Sequence, residues 1–365
     1  MAVCHMHIGY RHARSAQIIC QHEDDPPRSL ELTVDRVELP ASAKTALQHS
    51  LDTLGLGSPY DDIETFLTAI YPMFSVLPHS VLQRLSAFRN DPRAYGALIL
   101  GNLPIDDELP PTPLDGRPSK DRKTFVSEAS VLGICQILGQ PIGYHDEKEG
   151  EIVQALCPVR TEVHATSSES SDIELGFHTD FNFDKDNPER PYNVLNPDYI
   201  VLLCLKADQK HEAYTMYADA RDICKKLNAL ELGIMREPLF QFAASYSFTR
   251  SCGEEKIWSV PSPLLSGPDE FPEVSVDLLC GARGITDEAH AILDHLRDVC
   301  KLPGVATRVC LRPGELLIID NRKGAHARTA FTANFDGRDR WLHRVYVRRS
   351  LWELRSESCR DSRVF

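Results

Sequence analysis

The chain has 365 residues, 42% of them hydrophobic and 25% charged, the profile of a globular protein with room for one large domain or two modest ones. A net charge of −13 argues against a nucleic-acid partner, which needs a basic face, and against an anionic membrane surface. No apolar run approaches the roughly eighteen residues of a membrane-spanning helix. The 11 cysteines form no CxxC pair and residues 1–7 lack the apolar core of a secretory signal, so the expectation is a cytoplasmic protein with reduced thiols.

Residues 1–40 are poorly periodic, broken by Pro26-Pro27, and read as an arm or a first strand. Residues 41–140 turn helical: Leu47, Leu51 and Leu54, then Ile63, Phe66, Leu67 and Ile70, then Val81, Leu82 and Leu85 recur at helical spacing. Residues 95–100 read as a buried strand, the proline-rich stretch 109–118 as a loop, and 125–138 as a helix ended by Gly139. After Gly150 short strand-like runs take over, at 152–156, 199–205, 214–218, 241–248, 305–311, 316–319 and 342–348. Helical segments at 219–230 and 287–299 interrupt them. This pattern predicts a mainly β, α+β fold, a β-sandwich or jelly roll over 141–350 decorated with helices, with a tail at 351–365. GxGxxG, GxxxxGK[ST] and GxSxG are all absent, so nucleotide-binding and α/β-hydrolase readings have no anchor.

The chemistry concentrates in His178-Thr179-Asp180. With 14 His and 53 acids, chance supplies about two His-x-acid pairs, so the triplet alone says little. Two further blocks, His22-Glu23-Asp24 and His145-Asp146-Glu147, lie in charged, loop-like stretches and read as solvated surface. His178 follows Leu175-Gly176-Phe177. On an extended strand it shares a face with Asp180, either as a metal-binding pair or as a core histidine bonded to an aspartate. His326 follows the buried run 316–319, and Arg340 comes fourteen residues after it. Two imidazoles and one carboxylate bind one face of a divalent iron and leave positions open. On the last strand Arg340, Leu342, Arg344 and Tyr346 share a face. A buried arginine needs an anion, either a ligand carboxylate held in bidentate fashion or an internal acid.

The blocks 174–180, 197–208 and 320–342 resemble the clavaminate-synthase-like group of iron(II)/2-oxoglutarate-dependent oxygenases, which includes hydroxylases of free arginine and asparagine. The resemblance covers roughly residues 144–349 and implies a double-stranded β-helix (jelly-roll) core. It implies that His178, Asp180 and His326 ligate Fe(II) and that Arg340 grips the distal carboxylate of 2-oxoglutarate. Thr215 and Arg344 would help at the co-substrate, and Gln154, Ser168, Glu169 and Asp277 would face the substrate. The implied reaction uses O2 to hydroxylate an amino acid or its derivative in natural-product metabolism, releasing succinate and CO2. Desaturation, cyclisation, a zinc hydrolase and a non-redox metal-binding jelly roll are the alternatives. A free and a carrier-protein-tethered substrate both remain open. Two departures stand out. The acidic ligand is Asp180 where close relatives carry glutamate, and 182–196 is a long charged segment, either a lid or a surface insertion.

Overall fold

Apolar residues at helical spacing shape the first part of the chain. The computed structural model describes residues 34–119, 122–165, 168–180, 196–244, 257–279, 281–357 and 362–365. Helix α1 (Ala41–Leu54) buries Leu47 and Leu51 and stops at Gly55 in the left-handed conformation (φ 60). Leu54, expected on the same face, is exposed. Helix α2 (Ile63–Ser75) is capped by the Asp62 side chain, which accepts from the Thr65 N–H, and buries Phe66, Leu67, Ile70 and Phe74. Helix α3 (His79–Asn90) buries Val81, Leu85 and Phe88. Helix α4 (Val126–Leu138) is buried along most of its length and ends at Gly139.

The strands form two main sheets among the described residues. The larger has seven strands: β1 (Asp35–Glu38), β2 (Ala97–Gly101), β3 (Gln140–Ile142), β4 (Gln154–Leu156), β6 (Tyr199–Lys206), β13 (Leu316–Asp320) and β15 (Trp341–Arg348). Its order is β1-β2-β13-β6-β15-β3, with β4 also on β15. The smaller has the order β12-β7-β14-β5, from β5 (Leu175–His178), β7 (Thr215–Asp219), β12 (Ala306–Val309) and β14 (Gly324–Arg328). Short pairs β8 (Phe240–Phe242) with β11 (Ala282–Gly284), and β9 (Leu265–Ser266) with β10 (Glu273–Val274), flank it.

Side-chain alternation sorts these strands into layers. On β13, Leu316 and Ile318 pack against the helices while Leu317 and Ile319 face inward. On β6, Tyr199, Val201, Leu203 and Leu205 take the helical side, and Ile200, Leu202 and Cys204 the inner one. On β7, Met216 and Ala218 join a third cluster with helix α7 (Asp287–Val299), while Tyr217 turns inward. The architecture is α+β: helices, a large sheet, an inner layer, a small sheet, and outer helices. On β14, Ala325 and Ala327 belong to the outer cluster, so His326 and Arg328 point to the inner layer. No single described helix is long and apolar enough to cross a membrane.

Two expectations change. The helical segment expected over 219–230 is two helices, α5 (Ala220–Cys224) and α6 (Ala229–Met235). Asn228 breaks it by capping α6 in a reciprocal box with Glu231. The strand expected over 241–248 is described only as Phe240–Phe242, residues 245–248 lying outside the described residues. So do the block at 22–24 and 182–195 of the charged segment, whose last residue, Asn196, is buried. Ile70 is wholly buried in the helical cluster. Replacing it with alanine is expected to cost about 2–5 kcal/mol, read as a lower urea midpoint at unchanged slope.

Candidate metal centre

Antiparallel pairing of β14 with β5 sets His326 directly opposite His178, with ring centroids 4.3 Å apart. The Nδ1 of His178 lies 2.8 Å from the Gly176 carbonyl; donating there leaves Nε2 with its lone pair toward the inner layer. Asp180 lies beyond the end of β5, its carboxylate 3.6 Å from His178 Nε2 and 3.9 Å from His326 Nε2. One ligand atom from each of the three lies within 4.8 Å of the others. Burial first, then the nearby His178 and Arg344, hold the pKa of His326 well below its ordinary value, so it is neutral, as a metal ligand must be. The donor set of two imidazoles and one carboxylate fits a non-haem Fe(II) with open positions.

Asp180 owes its position to main-chain contacts. Its N–H donates to Asn321 Oδ1 at 2.8 Å and its carbonyl accepts from Asn321 Nδ2 at 3.0 Å. Asn321 is itself buried and donates its N–H to the Asp198 carbonyl at 2.9 Å. Between the two ligands, Thr179 turns the other way and donates its N–H to the Val276 carbonyl at 2.8 Å.

A second corner of the inner layer is cationic. Arg340, just before β15, is buried, and among the described residues its guanidinium has no hydrogen bond or ion pair. Burial lowers its pKa from the ordinary value. Thr215, buried at the start of β7, pairs with Arg328 of β14. Among the described residues Arg328 donates only to neutral oxygens, and burial followed by the charge of Arg340 brings its pKa down to about 9. Buried guanidiniums without a carboxylate are costly, so this corner is built to receive an anion.

On the opposite side Arg344 is buried but well supplied. Its Nε donates to Gln154 Oε1 at 2.8 Å and its Nη2 to Gln154 and to Glu147. Burial opposes its charge, yet the surrounding Tyr346, Glu147 and Asp180 raise its pKa above the ordinary value. Gln154 is fully buried and its Nε2 has no partner among the described residues. Glu147 corrects the expectation that His145-Asp146-Glu147 is solvated surface, since its carboxylate turns inward onto Arg344. The turn is made by three successive left-handed residues, Lys148 (φ 50), Glu149 (φ 58) and Gly150 (φ 86). Only Gly150 announces such a turn in the sequence, which is why Glu147 escaped the sequence reading. Lys148 pairs with Glu169 and donates to the Gly116 carbonyl at 3.1 Å, so Glu169 is held in an ion pair. Ser168 beside it is half-buried. Asp277 is half-buried, bridged to His178 through the backbone, and accepts from the Leu279 N–H at 3.3 Å.

Comparison with known proteins agrees with this geometry. The family described as "Taurine catabolism dioxygenase TauD, TfdA family" matches residues 274–346. An L-asparagine oxygenase of Streptomyces coelicolor is 32% identical over 341 residues, 93% of this chain and 96% of that protein. Clavaminate synthase 2 of Streptomyces clavuligerus is 32% identical over 292 residues, 80% of this chain and 85% of that protein. The crystal structure of an asparagine oxygenase with Fe(II), 2S,3S-3-hydroxyasparagine and succinate superposes with a TM-score of 0.79 at 30% identity, covering 90% of this chain and 98% of that one. The chain belongs to the clavaminate-synthase-like, TauD/TfdA-type family of iron(II)- and 2-oxoglutarate-dependent oxygenases. Removing the grip on Asp180 by Asn321→Ala is expected to weaken metal affinity about 10–100-fold, measured by anaerobic titration with Fe(II) or Co(II).

Proposed function

We propose that this oxygenase hydroxylates an unactivated C–H of a free α-amino acid in specialised metabolism, consuming 2-oxoglutarate and O2 and releasing succinate and CO2. The observation that carries the reading is Arg340, buried with no hydrogen bond or ion pair among the described residues and fourteen residues beyond His326. A dianionic keto acid supplies the missing charge. His178, Asp180 and His326 would hold the iron, which when bound supplies the dioxygen chemistry that the side chains lack. Arg340 pairs with the far carboxylate of the co-substrate, and the buried Thr215 hydroxyl stands on the same corner.

The amino acid is recognised by a different set, to which Arg344 belongs on this reading instead of to the co-substrate corner that the resemblance implied. Arg344 keeps Nη1 free of described partners, and Gln154 Nε2 is an orphaned buried donor. Both suit a carboxylate, and Glu147 suits an ammonium beside it. A carrier-bound acyl group has no free carboxylate and would leave these donors unmet, which favours the free amino acid. Asp277, bridged to His178, would meet the substrate's side chain, with Ser168 on the pre-ligand segment. The two sheets facing one another across the site support a double-stranded β-helix core over 141–350, with the helical part 41–140 packed on it. The described free cysteines are in keeping with a cytoplasmic location.

The deciding experiment supplies the proteinogenic amino acids and their common derivatives to the iron-loaded enzyme. One of them is expected to drive succinate formation and to gain one oxygen atom by mass. Succinate that never rises above the substrate-free background would refute the reading. Arg340→Ala strands the co-substrate carboxylate and is expected to cost about 2–5 kcal/mol of binding, roughly 30- to 5,000-fold in the 2-oxoglutarate Kd. Glu147→Gln is expected to raise the amino-acid KM about 10- to 100-fold, the worth of one charge-assisted bond, with the 2-oxoglutarate Kd little changed.

A further inference from the structure

We propose that Arg328 is a positioning residue that fixes the segment 168–173 against the strand bearing His326; this rests on the reading above that the segment meets the substrate. Arg328 lies two residues after His326 on β14, on the same inward face. It is 6% exposed. Its Nη1 donates to the Ser170 carbonyl, and its Nη2 to Ser170 Oγ at 2.9 Å and the Ile173 carbonyl at 2.7 Å. The guanidinium also sits over the Phe331 ring, 5.2 Å from its centroid. The Phe331 N–H in turn donates to the Ser171 carbonyl at 2.7 Å. One planar, rigid fork therefore ties three points of a loop to the strand that carries a metal ligand.

The far side of the segment is tied more simply. The Val159 N–H donates to the Glu169 carbonyl at 3.0 Å, and the Ser171 N–H reaches the Val163 carbonyl at 3.4 Å. Those bonds fix the segment to its own neighbourhood, and Arg328 fixes it to the metal centre. Burying a permanent charge on neutral acceptors alone is an expensive way to close a loop. A hydroxyl or amide would close it at lower cost, but neither spans Ser170 and Ile173 together. The arrangement holds Ser168 at a set distance from His326 and leaves a positive charge beside Arg340.

The test uses the full chain with Arg328→Lys, which keeps the charge but loses the fork, and Arg328→Gln, which loses both. In the metal-free protein, hydrogen exchange is expected to rise about tenfold or more for peptides covering 168–173 and 329–333, the loss of charge-assisted bonds, while α4 stays protected. In the iron-loaded enzyme, Arg328→Lys is expected to raise the amino-acid KM about tenfold and to lower product formed per succinate. A folded Arg328→Lys enzyme with unchanged exchange, KM and product-to-succinate ratio would overturn the proposal. So would an even loss of protection that includes α4, which marks a purely structural role. If the wild-type enzyme forms no succinate with any amino acid, the functional reading fails, and the exchange data on the metal-free protein still decide whether Arg328 ties the segment.

Discussion

The chemistry of this protein hangs on the register between β14 and β5. With side chains alternating at a period of two, His326 faces the inner layer only because Ala325 and Ala327 face the outer cluster. A slip of one residue would exchange the two faces along the whole strand. The apolar demand of the outer core is therefore what points the second imidazole at the first. The same alternation turns Arg328 inward on β14 and, on β15, sends Arg344 inward with Leu342 and Tyr346. Metal ligand and charged side chains share one cause: packing on the opposite face of the strand.

The site divides its charges unevenly. Arg344 is matched by Glu147, so that side is close to neutral and suits a zwitterion. Arg340 and Arg328 have no carboxylate partner among the described residues, so that side is cationic and suits a dianion. Each corner disfavours the other's ligand, because a dianion beside Glu147 meets like charge and a zwitterion at Arg340 leaves net charge unmatched. On the proposed reading, the two corners would thereby sort two small carboxylates.

Much of this was legible in the chain. The helices at 63–75, 126–138 and 287–299 followed from apolar spacing and from stop signals such as Gly139. The strand at 316–320 followed from a short apolar run between polar ends. The three candidate ligands and Arg340 could be named from spacing and resemblance, and the fold brings the ligands within reach of one another. What stayed hidden depends on loops. Glu147 looks like any surface acid until the left-handed run at 148–150 turns it inward. Arg328 is one arginine among many until its three oxygen partners, all from 170–173, are seen. The break before α6 turns on a cap at Asn228, which competes with a helix that propensity alone would continue. Local pattern reports burial and period; it does not report which distant backbone oxygen a side chain will find.

The grip of Asn321 on residue 180 has a consequence of another kind. It acts on the N–H and the carbonyl, groups that every residue except proline shares. Among the described residues, the side chain at 180 contacts the two histidines and has no duty in the scaffold. Scaffold and ligand set are thus separable at this one position. A longer acid or a residue with no acid at all can occupy it while the chain path stays the same. That makes residue 180 a natural point of divergence, where a lineage can vary how its metal is dressed without first having to rebuild the fold around it.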